Sequence, residues 1–299
     1  MSRTENNILL FSITFCWAAS YVFIKELPSG LSTYAYLTMT CGIAAALLTA
    51  VFFKKLQKIR PAAIGKATVL SVLLLLNLIT DKLGIDRLAS STASVLASSS
   101  ILIVPVVMIL MRKMPTKNNL LGAAIIMAGI IITSGFRPEN VFSMGALFML
   151  FSAVLMSIYT IAADKITKEE DPLLLSVVQM WITAVIGFIM WFIEEPRTFA
   201  SLEYTKEMLS SIFILAFFSK AYAYVALMYS QKYSDPISVT IIASTEPIVT
   251  LVLAVLIPTA FEEHFTTSAA LGAAVIMVGA IVSGTNFLSR AGGKKHEAQ

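Results

Sequence analysis

The chain is poor in charge. Asp, Glu, Lys and Arg make up 13% of its 299 residues, about half the ~25% usual in soluble domains. So few charges cannot cover a water-facing surface of this size. Cysteine is scarce too. Cys16 and Cys41 each lie inside a long apolar run, which excludes a disulfide scaffold and reads both as small packing residues. The two histidines, His264 and His296, are far apart and near run ends, so no zinc spacing exists. Neither G-x-S-x-G nor H-E-x-x-H occurs. An enzyme buried in a membrane would need a nucleophile–base set or metal ligands, so no reaction and no cofactor are expected. No gap between apolar runs is long enough for a soluble domain.

Apolar length is what the chain has instead. Hydrophobic residues make up 57%, with mean hydropathy +0.81. Ten runs stand out: 8–25, 32–53, 67–87, 90–111, 119–136, 142–163, 173–193, 208–230, 236–257 and 268–288. Runs of ~18 or more such residues read as membrane spans. Only helices and closed barrels satisfy the backbone in lipid. Barrel strands would be ~10-residue alternating segments, and these runs are longer. The expected fold is therefore an all-α membrane protein of ten transmembrane helices, with the lipid bilayer as its solvent.

Charge sets the orientation. With the N-terminus taken as cytoplasmic, alternate loops on that side hold Arg3, Lys54, Lys55, Lys58, Arg60, Lys66, Arg112, Lys113, Lys117, Lys165, Lys168, Lys232, Arg290, Lys294 and Lys295. The other side holds Lys25, Lys82, Arg87, Arg137, Arg197 and Lys206, with acidic loops at Glu194–Glu195 and Glu262–Glu263. The excess of 15 over 6 puts both termini in the cytoplasm by the positive-inside rule, in a multi-pass protein of the cell membrane. The net charge of +4 is a topology signal, and no nucleic-acid partner follows from it.

The chain repeats itself. Leu121-Gly-Ala-Ala-Ile-Ile-Met-Ala-Gly-Ile-Ile131 matches Leu271-Gly-Ala-Ala-Val-Ile-Met-Val-Gly-Ala-Ile281 at eight of eleven positions, 150 residues apart. Leu10-Phe11-Ser12 and Lys25 recur as Leu150-Phe151-Ser152 and Lys165, and Ala97–Ser100 aligns with Ala243–Glu246. Two five-helix repeats are expected, at 1–137 and 138–299. Five is odd, so the second half enters from the opposite side, giving inverted repeats. The repeat also argues against reading Arg3, the run 8–17 and Ala18-Ala19-Ser20 as a cleavable signal peptide, because the first helix has a partner. Gly122 and Gly129 recur as Gly272 and Gly279. Such faces allow close helix packing. A homodimer contact is the other reading of them.

Two charges lie at the wrong depth. Lys220 is about twelve residues into the eighth run and Glu246 about ten into the ninth, so both are ~15–18 Å deep, near the midplane. A charge there faces protein or a cavity and is a functional candidate. Three readings stay open: a buried Lys220–Glu246 ion pair, a cavity wall that binds a charged or zwitterionic solute, and proton uptake by Glu246. Pro247 frees the carbonyl of Ala243 and Pro105 that of Ile101, since proline lacks a donor. Ser98, Ser99 and Ser100 stand in the register of Ser244, Thr245 and Glu246. This polar stretch is either a capped kink or an unwound wall of a solute path. Trp17 and Tyr21, and Tyr222 and Tyr224 around Lys220, are candidate aromatic walls. Asn77 and Asp81 share one face of the third span, and Asp81 is expected to pair with Lys82 or Arg87.

These residues together resemble the drug/metabolite transporter superfamily, in its EamA-like ten-helix branch. Lys220-Ala-Tyr-Ala-Tyr224 is similar to the family's Thr-Ala-x-Ala-Tyr, and Ser230–Pro236 stands where Ala-Leu-x-x-x-x-Ala does. Ser244-Thr-Glu-Pro-Ile248 resembles its Leu-Glu-Pro-Val segment. Glu262-Glu263 stands where a Gly-Glu pair does, and Leu271–Gly279 matches the final Leu-Gly-x-x-x-Ile-x-x-Gly. Trp17 matches the Trp of the first helix. Three positions depart from the pattern. Thr38-Met39-Thr40 replaces an Arg-containing stretch, Ser100 replaces a Pro, and Lys220 replaces a small or hydroxyl residue. The resemblance implies a carrier of small metabolites such as amino acids, with a cavity among helices one, three, four, six, eight and nine.

The expectation is an exporter of a small polar or zwitterionic metabolite that works by alternating access, with a proton as the candidate coupling ion. Lys220, Glu246, Trp17, Tyr21, Tyr222, Asn77, Asp81 and Ser98 would bind the solute. A membrane sensor or partner subunit without transport is the alternative.

Overall fold

The computed structural model describes residues 1–25, 27–28, 31–88, 90–112, 115–133, 143–256 and 267–284. The expectations on Lys113, Arg137, Glu262, Glu263, His264, Arg290, Lys294, Lys295 and His296 lie outside the described residues, as does the boundary at 137/138. The first half contains α1 (Arg3–Lys25), α2 (Thr33–Leu56), α3 (Pro61–Ile85), α4 (Ser90–Ala97), α5 (Ser100–Leu110) and α6 (Lys117–Thr133). After it come α7 (Met144–Glu169), α8 (Pro172–Glu194), the short α9 (Pro196–Ser201) and α10 (Lys206–Ile214). A π-helical stretch, Leu215–Tyr222, joins α10 to α11 (Ala223–Gln231). Then follow α12 (Pro236–Ala243), α13 (Glu246–Leu256) and α14 (Thr267–Gly284).

Local chemistry starts these helices. The hydroxyls of Ser32, Ser143 and Thr205 accept the amide hydrogens of Ala35, Ala146 and Met208, satisfying first-turn donors. The Asp171-Pro172 and Asp235-Pro236 pairs open α8 and α12, with the Asp carboxyl accepting from the first turn. Proline at the first helical position needs no donor.

Eight helical stretches among the described residues are long and apolar enough to cross a membrane. Helices α4 and α5 together make one of them, as do α10 with α11 and α12 with α13. The expected fifth and tenth spans correspond to α6 and α14, which are apolar but shorter. The 17 residues of α6 rise ~26 Å, a little under the ~30 Å hydrocarbon core. The chain is thus an all-helical membrane protein. Its surface agrees: Phe11, Val51, Leu110, Phe192 and Leu271 are all exposed. Buried hydroxyls bond their own helix instead, as Thr40 does to the Tyr36 carbonyl at 2.7 Å and Ser71 to that of Ala67 at 2.7 Å.

Packing runs between the halves. Helix α2 lies on α8, α6 on α14, and α3 on α7, while α1 lies against the π-helical stretch, α11 and α13. Glycine makes the α6–α14 contact close. A Cβ on Gly122 would stand 2.7 Å from the Gly279 carbonyl oxygen, and one on Gly279 2.8 Å from that of Gly122. A Cβ on Gly129 would stand 2.8 Å from the Gly272 carbonyl oxygen. The two helices therefore cross antiparallel, and the glycine faces meet within one chain.

One end of the bundle is tied by ion pairs. Lys55 meets Asp171 at 3.2 Å, Arg60 meets Glu170 at 2.7 Å, and Lys66 meets Glu169 at 2.7 Å and Glu170 at 2.9 Å. These join the α2–α3 turn to the α7–α8 turn. Asn6, buried at the start of α1, accepts from the Ser230 hydroxyl at 2.7 Å and donates to Ser234.

Candidate functional site

Both broken spans are broken at matching places. α4 gives way to α5 at Ser98–Ser99, and α12 to α13 at Ser244–Thr245. The backbone tightens there to i→i−3 bonds, such as Ser99 N–H to the Leu96 carbonyl and Thr245 N–H to that of Ile242. The hydroxyls of Ser98, Ser244 and Thr245 turn back onto carbonyls of their own helix. Glu246 consequently opens a new helix, where a carboxylate suits the positive end of the helix dipole.

A cavity of about 100 Å³ lies between these breaks and α1, α3, α7 and the π-helical stretch. Trp17, Tyr21, Asn77, Asp81, Ser98, Lys220 and Glu246 all line it. Tyr222 does not. It is 38% exposed, and its hydroxyl lies 2.7 Å from that of Ser12. Residues two apart on a helix point to opposite sides, whereas residues four apart share a face. Accordingly Tyr224 lines the cavity with Lys220.

Lys220 is the unusual group. It is buried, and no hydrogen bond or ion pair within 4.0 Å joins its ammonium to another described residue. Aromatic faces hold it instead. Its Nζ stands 5.5 Å from the centre of the Tyr36 ring and 5.7 Å from that of Tyr224, within cation–π range. Trp17 extends the cluster, 5.7 Å from Tyr224 between ring centres. A π-helical turn often marks a functional site, and here it carries the charge.

Of the three readings, a Lys220–Glu246 ion pair within 4.0 Å does not form. The break before Glu246 starts α13 against α1 and α4, and Glu246 interacts with Tyr21 of α1. Lys220 looks toward α2 and Tyr36. Asp81 interacts electrostatically with both Lys220 and Glu246. It makes no ion pair within 4.0 Å with Lys82 or Arg87, correcting that expectation, although Lys82 still acts on it electrostatically. Lys82 bonds both Asp86 oxygens, at 2.5 and 2.7 Å, and Arg87 donates to the Leu83 carbonyl. Both partners are four residues distant, the spacing at which helical side chains meet. The amide of Asn77 donates to the carbonyl and hydroxyl of Ser152, at 3.0 and 2.8 Å, fixing α3 to α7 beside the cavity.

Among the described residues no group of three or more His, Cys, Asp or Glu could hold a metal ion. Cys16 and Cys41 are free thiols. The sequence did not single out Tyr36 or Ser152 as lining residues. Tyr36 carries no motif, although the spacing of Tyr224 to Lys220 was available to reading.

Comparison with known proteins adds three findings. The sequence profile described as the EamA-like transporter family matches residues 6–135 and 143–285. An uncharacterized transporter of Archaeoglobus fulgidus is 23% identical over 280 residues, covering 91% of this chain and 95% of that protein. A protein of known crystal structure superposes with a TM-score of 0.74 at 17% identity, over 97% of this chain and 99% of its own. That last likeness concerns the fold alone.

Proposed function

The chain belongs to the EamA-like transporter family, and from that premise we propose that it exports a small polar or zwitterionic metabolite across the cell membrane. The carrying observation is Lys220, a buried ammonium on the cavity wall with no ion-pair partner within 4.0 Å among the described residues. A buried charge left without a partner costs several kcal/mol. The charge is compensated when an anionic group of the solute enters the cavity. Trp17, Tyr21, Tyr36 and Tyr224 shape the pocket, and Ser98 lines its broken wall. Glu246 carries the coupled proton.

The movement is alternating access between two inverted five-helix halves, ten helices in all, with both termini cytoplasmic. The packing pairs support this. Exchange of the halves maps the α2–α8 and α6–α14 pairs onto themselves, and α3–α7 onto α11–α1. The glycine contacts support it further, since Gly122 meets Gly279 as Gly129 meets Gly272, as across a two-fold axis. Lys55, Arg60, Lys66 and Lys168 share one end, which is the cytoplasmic end in this reading.

The test is a metabolite screen in proteoliposomes, with and without a proton gradient. Gradient-stimulated movement of a solute that bears an anionic group is expected. If no solute in a broad panel of amino acids, organic acids and amines moves faster than in empty vesicles, the transport reading is wrong.

A further inference from the structure

We propose that Asp81 sets the specificity of this site, admitting solutes whose anionic group adjoins a cationic one and rejecting simple anions. The inference rests on the transport reading above and deepens it. Among the described residues, three Lys, Asp or Glu side chains line the cavity: Lys220, Asp81 and Glu246. They are not equivalent. Asp81 reaches both others electrostatically, while Glu246 turns to Tyr21 and makes no ion pair with Lys220. The cations nearest to Asp81 in sequence make their close bonds elsewhere, Lys82 with Asp86 and Arg87 with a carbonyl, although Lys82 still acts on Asp81 from a distance. Asn77, one turn back on α3, is bonded to Ser152 of α7, and the same Ser152 hydroxyl interacts with the Asp81 carboxyl.

The charge arithmetic follows. A simple anion on Lys220 would stand beside Asp81, adding like charge at low dielectric, where repulsion is strong. A zwitterion adds no net charge and gives Asp81 a cation to bind. When the two solute charges share one carbon atom, the cation falls to the carboxyl coupled to Lys220. That carboxyl is Asp81, which leaves Glu246 for the proton. Selection therefore works by repulsion of the wrong solute as much as by attraction of the right one.

Two solute pairs isolate the effect: alanine against lactate, and serine against glycerate. Each differs by an amino group in place of a hydroxyl. Counterflow would be measured with the full chain in proteoliposomes. The wild type is expected to prefer the amino member by about tenfold or more, as a site built to bind a polar group does. Asp81→Asn should bring the ratio near one or invert it, while Asp81→Glu and Glu246→Gln should keep it. An unchanged ratio in Asp81→Asn overturns the assignment, as does an inversion in Glu246→Gln instead. Thermal protection of the wild type needs no variant. Equal protection by lactate and alanine also overturns the proposal. Those results would leave transport itself standing, whereas a wild type that moves neither member of either pair removes the inference at its base.

Discussion

The ammonium of Lys220 stands 5.5 Å above the ring of Tyr36, a residue of α2, and Lys82 stands 5.6 Å from the same ring. One buried aromatic thus serves two cations, of which Lys82 also has a carboxylate at ion-pair distance. Tyr36→Leu should lower stability by roughly 1–3 kcal/mol, from lost cation–π attraction and packing. Tyr36→Phe should keep most of it, because the ring face does the work. Thermal unfolding in detergent, with all three proteins in parallel, measures this.

Glu246 begins α13 with its side chain toward Tyr21. If it carries the coupled proton, Glu246→Gln should separate two activities. Solute counterflow without a gradient should remain within about threefold of wild type, while proton-driven accumulation should fall at least tenfold. The assay compares counterflow with accumulation under an imposed pH step. Equal loss of both would assign Glu246 to solute binding.

The α6–α14 crossing has no room for a side chain at Gly279, where a Cβ would meet the Gly122 oxygen at 2.8 Å and Ile126 at 2.7 Å. Gly279→Val should therefore cost about 1–3 kcal/mol by overpacking and reduce the folded yield. Gly65 is the control. A Cβ there meets nothing within 4 Å, and Gly65→Ala should gain ~0.5–1 kcal/mol of helix stability. Melting temperatures of the two variants should move in opposite directions.

Much of this fold is legible in the sequence, because lipid makes apolar length the dominant signal. The glycine repeat was legible for the same reason: close helix approach demands small residues, and 122, 129, 272 and 279 keep one spacing. Depth along a helix was legible too, which is how Lys220 and Glu246 stood out. Rotation about the helix axis was harder. Tyr222 and Tyr224 look alike in sequence, yet one hydroxyl meets Ser12 and the other ring holds Lys220. Asp81 and Lys82 are neighbours in sequence, yet Lys82 closes its ion pair on Asp86 instead. Tyr36 was hidden because its partners lie 46 and 184 residues away, and no local pattern records such a contact.

At the ion-paired end, hydrogen bonds from Lys66 and then Arg60 hold the Glu170 carboxyl below the usual carboxylate range. A depressed folded value means the stabilisation is complete above the unfolded value of ~4.3. It is lost as pH falls through the folded value. Glu170→Gln should thus melt earlier than wild type near neutral pH, and the gap should close as pH drops below ~4. Melting curves across that range check both the sign and the window.

Substrate binding by Lys220 is tested most directly by Lys220→Met, which removes the charge and keeps the volume. Transport and thermal stability would be measured on the same preparation. A charge kept for function predicts that solute movement falls at least tenfold while the folded protein persists, with stability within about 3 kcal/mol of wild type, since no ion pair within 4.0 Å is broken among the described residues although Asp81 loses a more distant cation. A variant that transports like wild type, or one that loses transport only because it no longer folds, would contradict it.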